Sequence, residues 1–297
     1  MNINSVRNLQ EALQVLDKQG EAIAILAGGS DLMVQLDRGE CRAELLLHIA
    51  GISELKHIDC VEGMQVGALV THQELADSLE GRHDYQGLRL AARMVGGWQT
   101  QVVGTVGGNI CNASPAADLL PPLLVHGAKI TLMSKARGER VLELQEFLLG
   151  RRNTARQSDE LLTEIILEPI PEFSADGYYK VGRRGAMEVA LAGIAVRMTF
   201  SETADRIVEI RIATCAVGPK PARALETEAF LKNKILDGRV LSEAGNLLAN
   251  EVRPIDDIRA TADYRKAVVE RVLIKAINDC RERFLESVNV QSGSAVS

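Results

Sequence analysis

The run Gly104–Leu120, "GTVGGNICNASPAADLL", constrains this chain more than any other part of it. Glycines and small polar residues crowd together there, with one carboxylate, Asp118, just ahead of "PPLL". Glycine reaches positive φ and leaves main-chain N–H groups open to a ligand, because no Cβ stands in the way. The composition therefore predicts a turn-rich segment. Thr105 and Ser114 offer hydroxyls, Gly107 and Gly108 exposed backbone, Asn109 and Asn112 amides, and Asp118 an acceptor for hydroxyl groups. That set suits a ligand carrying both phosphates and a polyol. It is also what a glycine-rich loop capped by Asn and Ser would contain, with Asp118 near a helix N-terminus.

A second small-residue stretch, "ILAGGSDLMV" from Ile25 to Val34, lies nearer the N-terminus. "AIAIL" reads as a short buried strand and "LMVQLDRG" as a helix, so the glycines fall at a strand-to-helix junction. Gly28, Gly29 and Ser30, followed by Asp31, fit a pyrophosphate cradle of main-chain amides. On their own they read first as a tight strand-to-helix turn. Neither stretch has the G-x-x-x-x-G-K-[ST] spacing of a P-loop or the G-x-G-x-x-G spacing of a Rossmann turn. That argues against an ATPase and against a nicotinamide dehydrogenase of the usual kind.

The remaining chain is that of an ordinary globular protein. At 297 residues it can bury two or three cores, and a formal charge of −6 with no Lys/Arg block points away from nucleic acid and anionic membranes. No apolar run is long enough to span a bilayer, and the N-terminus has no basic and apolar leader pattern, so a cytoplasmic location is expected. The five cysteines contain no C-x-x-C pair, which predicts no metal or iron–sulfur site held by this chain. "NLQEALQVLDKQG" predicts a helix capped by Asn8 with Glu11 three residues on and stopped by Gly20, and "THQE" a capping box. From about Tyr178 strand-like runs precede long helices, which predicts a separate α+β domain beyond Pro169–Pro171.

Taken together, "LAGGSDLMVQL" and "GTVGGNICNASPAADLLPPLLVHGAKITL" resemble the paired FAD-binding motifs of the flavoprotein (medium) subunits of molybdenum hydroxylases, the family of xanthine dehydrogenase and carbon monoxide dehydrogenase. "YYKVGRRGAMEVALAGIAV" resembles the start of that family's C-terminal domain. The resemblance runs over nearly the whole chain. It implies an α+β protein: a two-part FAD-binding domain of the PCMH/VAO type over 1–172 (about 1–56 and 57–172), a smaller α+β domain over 176–286 like that of the CO dehydrogenase flavoprotein, and a flexible tail, 287–297. It further implies that Ile25, Leu26, Ala27, Gly28, Gly29, Ser30 and Asp31 wrap the FAD pyrophosphate. Thr105, Gly107, Gly108 and Asn109 would continue the cradle, with Ser114 beside it. Asp118 would hold the ribityl or ribose hydroxyls, and Leu161 and Lys180 would line the flavin. The implied partners are a 2Fe-2S iron–sulfur small subunit and a molybdenum-pterin large subunit, arranged as a dimer of heterotrimers. Where many relatives read Ile-Arg-Asn before "TVGG" this chain reads "QTQVVG", which alters a polar contact near Gln99 or Gln101.

In such a subunit no acid–base residue is needed, and none is expected. Two alternatives stand beside it: a self-contained flavin oxidoreductase of the VAO type, for which no base cluster is visible, and a non-redox nucleotide-binding module. Lys180 either meets the reduced flavin or is a surface lysine at a strand end. Cys111 reads as a small buried residue, His72 as a surface residue at a helix start, and Arg183 and Arg184 as structural. Trp98 either packs beside the flavin or fills a hinge.

Overall fold

In the computed structural model, residues 2–19, 22–82, 84–184, 187–202 and 206–294 are described. The chain divides into two units, the first made of Met1–Ser78, Val95–Ser114 and Gly127–Pro169, the second of Leu79–Met94, Pro115–His126 and Ile170–Ser297. Two segments that precede residue 127 in sequence thus belong to the second unit.

The first unit begins with a parallel three-stranded sheet in which Leu45–His48 lies between Asn2–Ser5 and Ile23–Leu26. Parallel strands need a crossover, and the helix Leu9–Gln19 supplies one. Asn8 caps it as expected, its Oδ1 accepting the Glu11 N–H at 2.9 Å. Gly20, the expected stop, lies outside the described residues. Leu13 and Leu16 project from the helix into a core with Leu47, Ile49 and Ile52. An antiparallel five-stranded sheet follows, with spatial order Ile58–Asp59, Met64–Gly67, Glu160–Leu167, Lys129–Ser134 and Gly138–Glu143. The "THQE" capping box forms: Glu74 accepts the Thr71 N–H at 2.8 Å and Thr71 Oγ1 accepts the Glu74 N–H at 3.1 Å. It opens the helix His72–Ser78.

In the second unit, Ser174–Val181, Ala192–Phe200, Ile207–Cys215 and Ala222–Arg223 form an antiparallel sheet. The helices Gly238–Glu251 and Ala262–Ser294 bury Leu241, Leu248, Val269, Leu273 and Ile277 in one core with the sheet residues Ile194, Val196 and Ile212. The last helix continues into the segment expected as a tail as far as Ser294, and 295–297 lie outside the described residues. Among the described residues no helix is long and apolar enough to cross a membrane.

One carboxylate joins the three chain segments of the second unit. Asp176 Oδ2 accepts the Gly87 N–H at 2.9 Å and the His126 Nε2–H at 3.0 Å, while the Asp176 carbonyl accepts from Arg283 at 2.8 Å. Both acid and imidazole are fully buried, at 2% and 0% exposure. Removing one partner of such a pair leaves the other desolvated. Asp176→Ala is accordingly expected to lower the stability of this unit by about 3–5 kcal/mol, read as a shift in a denaturant unfolding curve.

Candidate functional site

The opening run is helical in its glycine-bearing first half and turn-rich from Ala113 to Leu119. Val106–Asn112 is a helix whose N-cap, Thr105, accepts the Gly108 N–H on its hydroxyl at 3.0 Å, and Ala113 closes it in the left-handed region with φ 43°. Leu120–Val125 is a second helix that carries Pro121 and Pro122 in its first turn, where a missing N–H removes no hydrogen bond. The Thr105 cap offsets the low helix propensity of Gly107 and Gly108 in the first of these helices.

The two glycine stretches meet, backbone against backbone. A Cβ on Gly28 would stand 1.6 Å from the Val103 carbonyl oxygen, a separation no side chain can occupy. A Cβ on Gly107 would fall 2.7 Å from both Cβ and O of Ala68. The Gly107 N–H donates to Ala68 O and the Val106 N–H to Val70 O, each at 2.9 Å. Gly28 and Gly107 are therefore glycines for the sake of chain packing. Gly29 is one for its backbone, with φ at 73°.

Together these stretches wall a cavity of about 370 Å³ that lies wholly within the first unit. The first stretch contributes Ile25 and then every residue from Ala27 to Asp31. The second contributes Thr105, Gly107, Gly108 and Asn109, and the strand Glu160–Leu167 contributes Leu161. Leu26 and Ser114, expected beside them, are half-buried and outside the lining. The residues fit a dinucleotide. The lining mixes apolar side chains with glycines and polar residues, and Asn109 Oδ1 is buried without a hydrogen-bond partner.

Asp118 and Lys180 come together in the second unit. Asp118 Oδ2 accepts from Lys180 Nζ at 2.8 Å and its Oδ1 from the Tyr178 hydroxyl at 2.7 Å. Lys180 also donates to the Met94 carbonyl at 3.0 Å. Burial pushes the Asp118 carboxyl above the usual carboxylate range, against the opposing pull of Lys180 and Tyr178. With its side chain only 10% exposed, Lys180 is not a surface lysine.

His72 is not on the surface: it is 2% exposed, lines the cavity, and its Nδ1 has no partner. A capping-box position is usually solvated, but here the helix start is drawn in by the bond from its N–H to Gly104 O at 3.0 Å. Cys111 lines the cavity as a neutral thiol, pushed up to about 11 by burial. Trp98, 66% exposed, fills no hinge. Arg183 donates to the carbonyls of Ile258 and Arg259, a structural use. Sequence reasoning passed over Gln35, Arg152 and Arg156, all in the lining. Gln35 Nε2 donates to Asn112 Oδ1 at 2.9 Å and ties the two stretches together. A left-handed Arg152 has no sequence pattern that announces it.

Burial lowers the His72 imidazole from 6.5 to about 4. Because the folded state resists the proton that the unfolded state accepts, stability should fall as pH drops from 6.5 towards 4. The effect is on the order of 3 kcal/mol for this group. His72→Gln should flatten that part of the melting-temperature profile. A Gly28→Ala variant should unfold at lower temperature, because the Val103 carbonyl must move for the new methyl to fit.

Comparison with known proteins agrees with this geometry. Residues 1–170 match the FAD binding domain in molybdopterin dehydrogenase, and residues 177–280 match the CO dehydrogenase flavoprotein C-terminal domain. The chain is 33% identical to the caffeine dehydrogenase subunit beta of Pseudomonas sp. (strain CBB1), over 94% of each chain. It is 28% identical to the xanthine dehydrogenase FAD-binding subunit of Escherichia coli O157:H7, over 91% of this chain and 92% of that one. Its fold superposes on a chain of carbon monoxide dehydrogenase from Hydrogenophaga pseudoflava with a TM-score of 0.90, at 26% identity and covering 95% and 98% of the two chains. The α+β fold is that of this flavoprotein family, and the chain belongs to it as an FAD-binding oxidoreductase subunit of the molybdenum-hydroxylase type.

Proposed function

We propose that this chain is the electron-transferring subunit of a cytoplasmic complex in which a molybdenum-pterin large subunit oxidises an N-heterocycle, an aldehyde or a CO-type substrate. An iron–sulfur small subunit delivers the electrons, and NAD or another acceptor removes them. The complex is a dimer of heterotrimers, and within this chain 1–172 forms the FAD-binding domain and 176–286 the smaller second domain. The observation that carries the proposal is the single cavity shared by the two glycine stretches. The names of the relatives support the class of chemistry.

When bound, FAD supplies the redox chemistry, since a flavin can take up electrons singly and release them in pairs. The chain's own residues bind and orient it. Main-chain amides of Ile25–Asp31 wrap the pyrophosphate, and Thr105, Gly107, Gly108 and Asn109 continue the cradle as its wall, with Ser114 beside them. Asn109 Oδ1, buried without a partner, accepts a hydrogen bond from the ligand. Leu161 is an apolar wall that keeps water from the cofactor. Asp118 holds the ribityl or ribose hydroxyls, and Lys180 serves the flavin ring. The ion pair between them keeps both side chains in one orientation before the cofactor arrives.

The purified chain should be yellow and release stoichiometric FAD on acid treatment, and it should co-purify with the two partner subunits. A chain that stays colourless after incubation with FAD would overturn the proposal. Asp118→Asn keeps the volume and removes the charge, so FAD binding should weaken by about 1–3 kcal/mol in a fluorescence titration. Gly108→Val should abolish retention. A Cβ there already meets Thr105 Oγ1 at 2.9 Å, and the branched side chain extends into the cradle.

A further inference from the structure

Three charged side chains line the cavity: Asp31, Arg152 and Arg156. Within the lining two cations stand against one anion, and Glu40, which pairs with Arg152, lies outside it. The two arginines sit differently. Arg156 is held by its own segment, its Nη1 donating to the carbonyls of Gln157 at 2.9 Å and Glu160 at 2.8 Å. Those acceptors are neutral, so the positive charge remains available. Among the described residues Arg156 makes no ion pair with a carboxylate.

Arg152 occupies a position the backbone disfavours. The strands Leu148–Gly150 and Asn153–Thr154 pair across a two-residue loop, Arg151 and Arg152, and Arg152 has φ 51°. Turns of this kind take glycine or asparagine at left-handed positions. Arg152 is fixed there by its N–H, which donates at 3.0 Å to the carbonyl of Ala113, the residue that ends the helix of the second glycine stretch. Its guanidinium pairs with Glu40 at 2.5 Å, and the two side chains are 42% and 39% exposed. An ion pair so exposed adds little to stability. It does not explain an arginine at a glycine position, but it does hold the guanidinium in one orientation beside the cavity.

We infer that Arg152 and Arg156 bind the diphosphate of the cofactor, and that Arg152, oriented by Glu40, makes the site select a dinucleotide over an uncharged flavin. This rests on the assignment of the chain as an FAD subunit. At neutral pH the diphosphate is the only anionic group of FAD, and a guanidinium meets phosphate oxygens through two parallel hydrogen bonds.

The test is a titration of the flavin-free full chain with FAD and with riboflavin, followed by flavin fluorescence, at low and high salt. Arg152→Gly removes the cation and relieves the left-handed backbone. Its melting temperature without flavin should equal or exceed that of the wild type. Its affinity for FAD should fall roughly tenfold or more while riboflavin binding changes less than about twofold. Arg152→Lys should recover part of the loss, and FAD binding to Arg152→Gly should depend less on salt than in the wild type. Unchanged FAD affinity in Arg152→Gly, or equal losses for FAD and riboflavin, would overturn the inference while leaving the FAD assignment intact. If the wild-type chain takes up no FAD, the assignment itself fails and the inference with it.

Discussion

The main chain at Gly28 lies so close to the Val103 carbonyl that no other residue fits, and the cavity depends on that approach. It brings a strand-to-helix turn near the N-terminus against the entry to the helix Val106–Asn112. Gly29, Asp31, Thr105, Gly107 and Gly108 in the lining are positioned by backbone hydrogen bonds or by a cap. Long side chains would need to be fixed by packing, whereas amides of a hydrogen-bonded backbone are already oriented, and preorganisation of this kind lowers the entropic cost of holding a large flexible ligand. The same approach explains why glycines recur here for two different reasons. Gly28 and Gly107 permit chains to touch, and Gly29 permits a left-handed turn.

Buried polar groups tell a parallel story in the second unit. Asp176 links Gly87, His126 and the long final helix, so segments remote in sequence share one carboxylate. Asp118 is the centre of a second such group, with Tyr178 and Lys180 on its two oxygens. The first is a device of folding. The second pairs a carboxylate that burial would otherwise neutralise with an ammonium that holds it in place, which is what a ligand-binding acid needs. In the first unit, the ion pair of Arg152 with Glu40 is too exposed to matter for stability, and its meaning lies in where it holds the guanidinium.

Much of this was legible in the residues. The Asn8 cap, the "THQE" box and the strand-to-helix junction at "AGGSD" rest on interactions between residues three or four apart, which sequence spacing exposes directly. The two glycine stretches and Leu161 were expected to serve one ligand, and they line one cavity. His72 was misjudged because a helix-start histidine is ordinarily solvated, and its burial follows from the chain segment laid over it. Arg152 and Arg156 were missed for a related reason. Nothing near them in sequence marks a functional residue, and only the cavity and the backbone dihedral do so.

The sequence by itself determined the capped helices, the strand-to-helix junction at "AGGSD", and that two small-residue stretches must lie where a backbone is approached closely. These are local matters of capping, periodicity and the absence of Cβ. Tertiary structure alone decided that Gly104–Ser114 joins the first unit while Pro115–His126 joins the second, so that Asp118 is paired with Lys180. It alone decided which cations face the cavity. Those outcomes depend on burial and on contacts between residues far apart in the chain, and the energies that set them are not written in any short stretch of it.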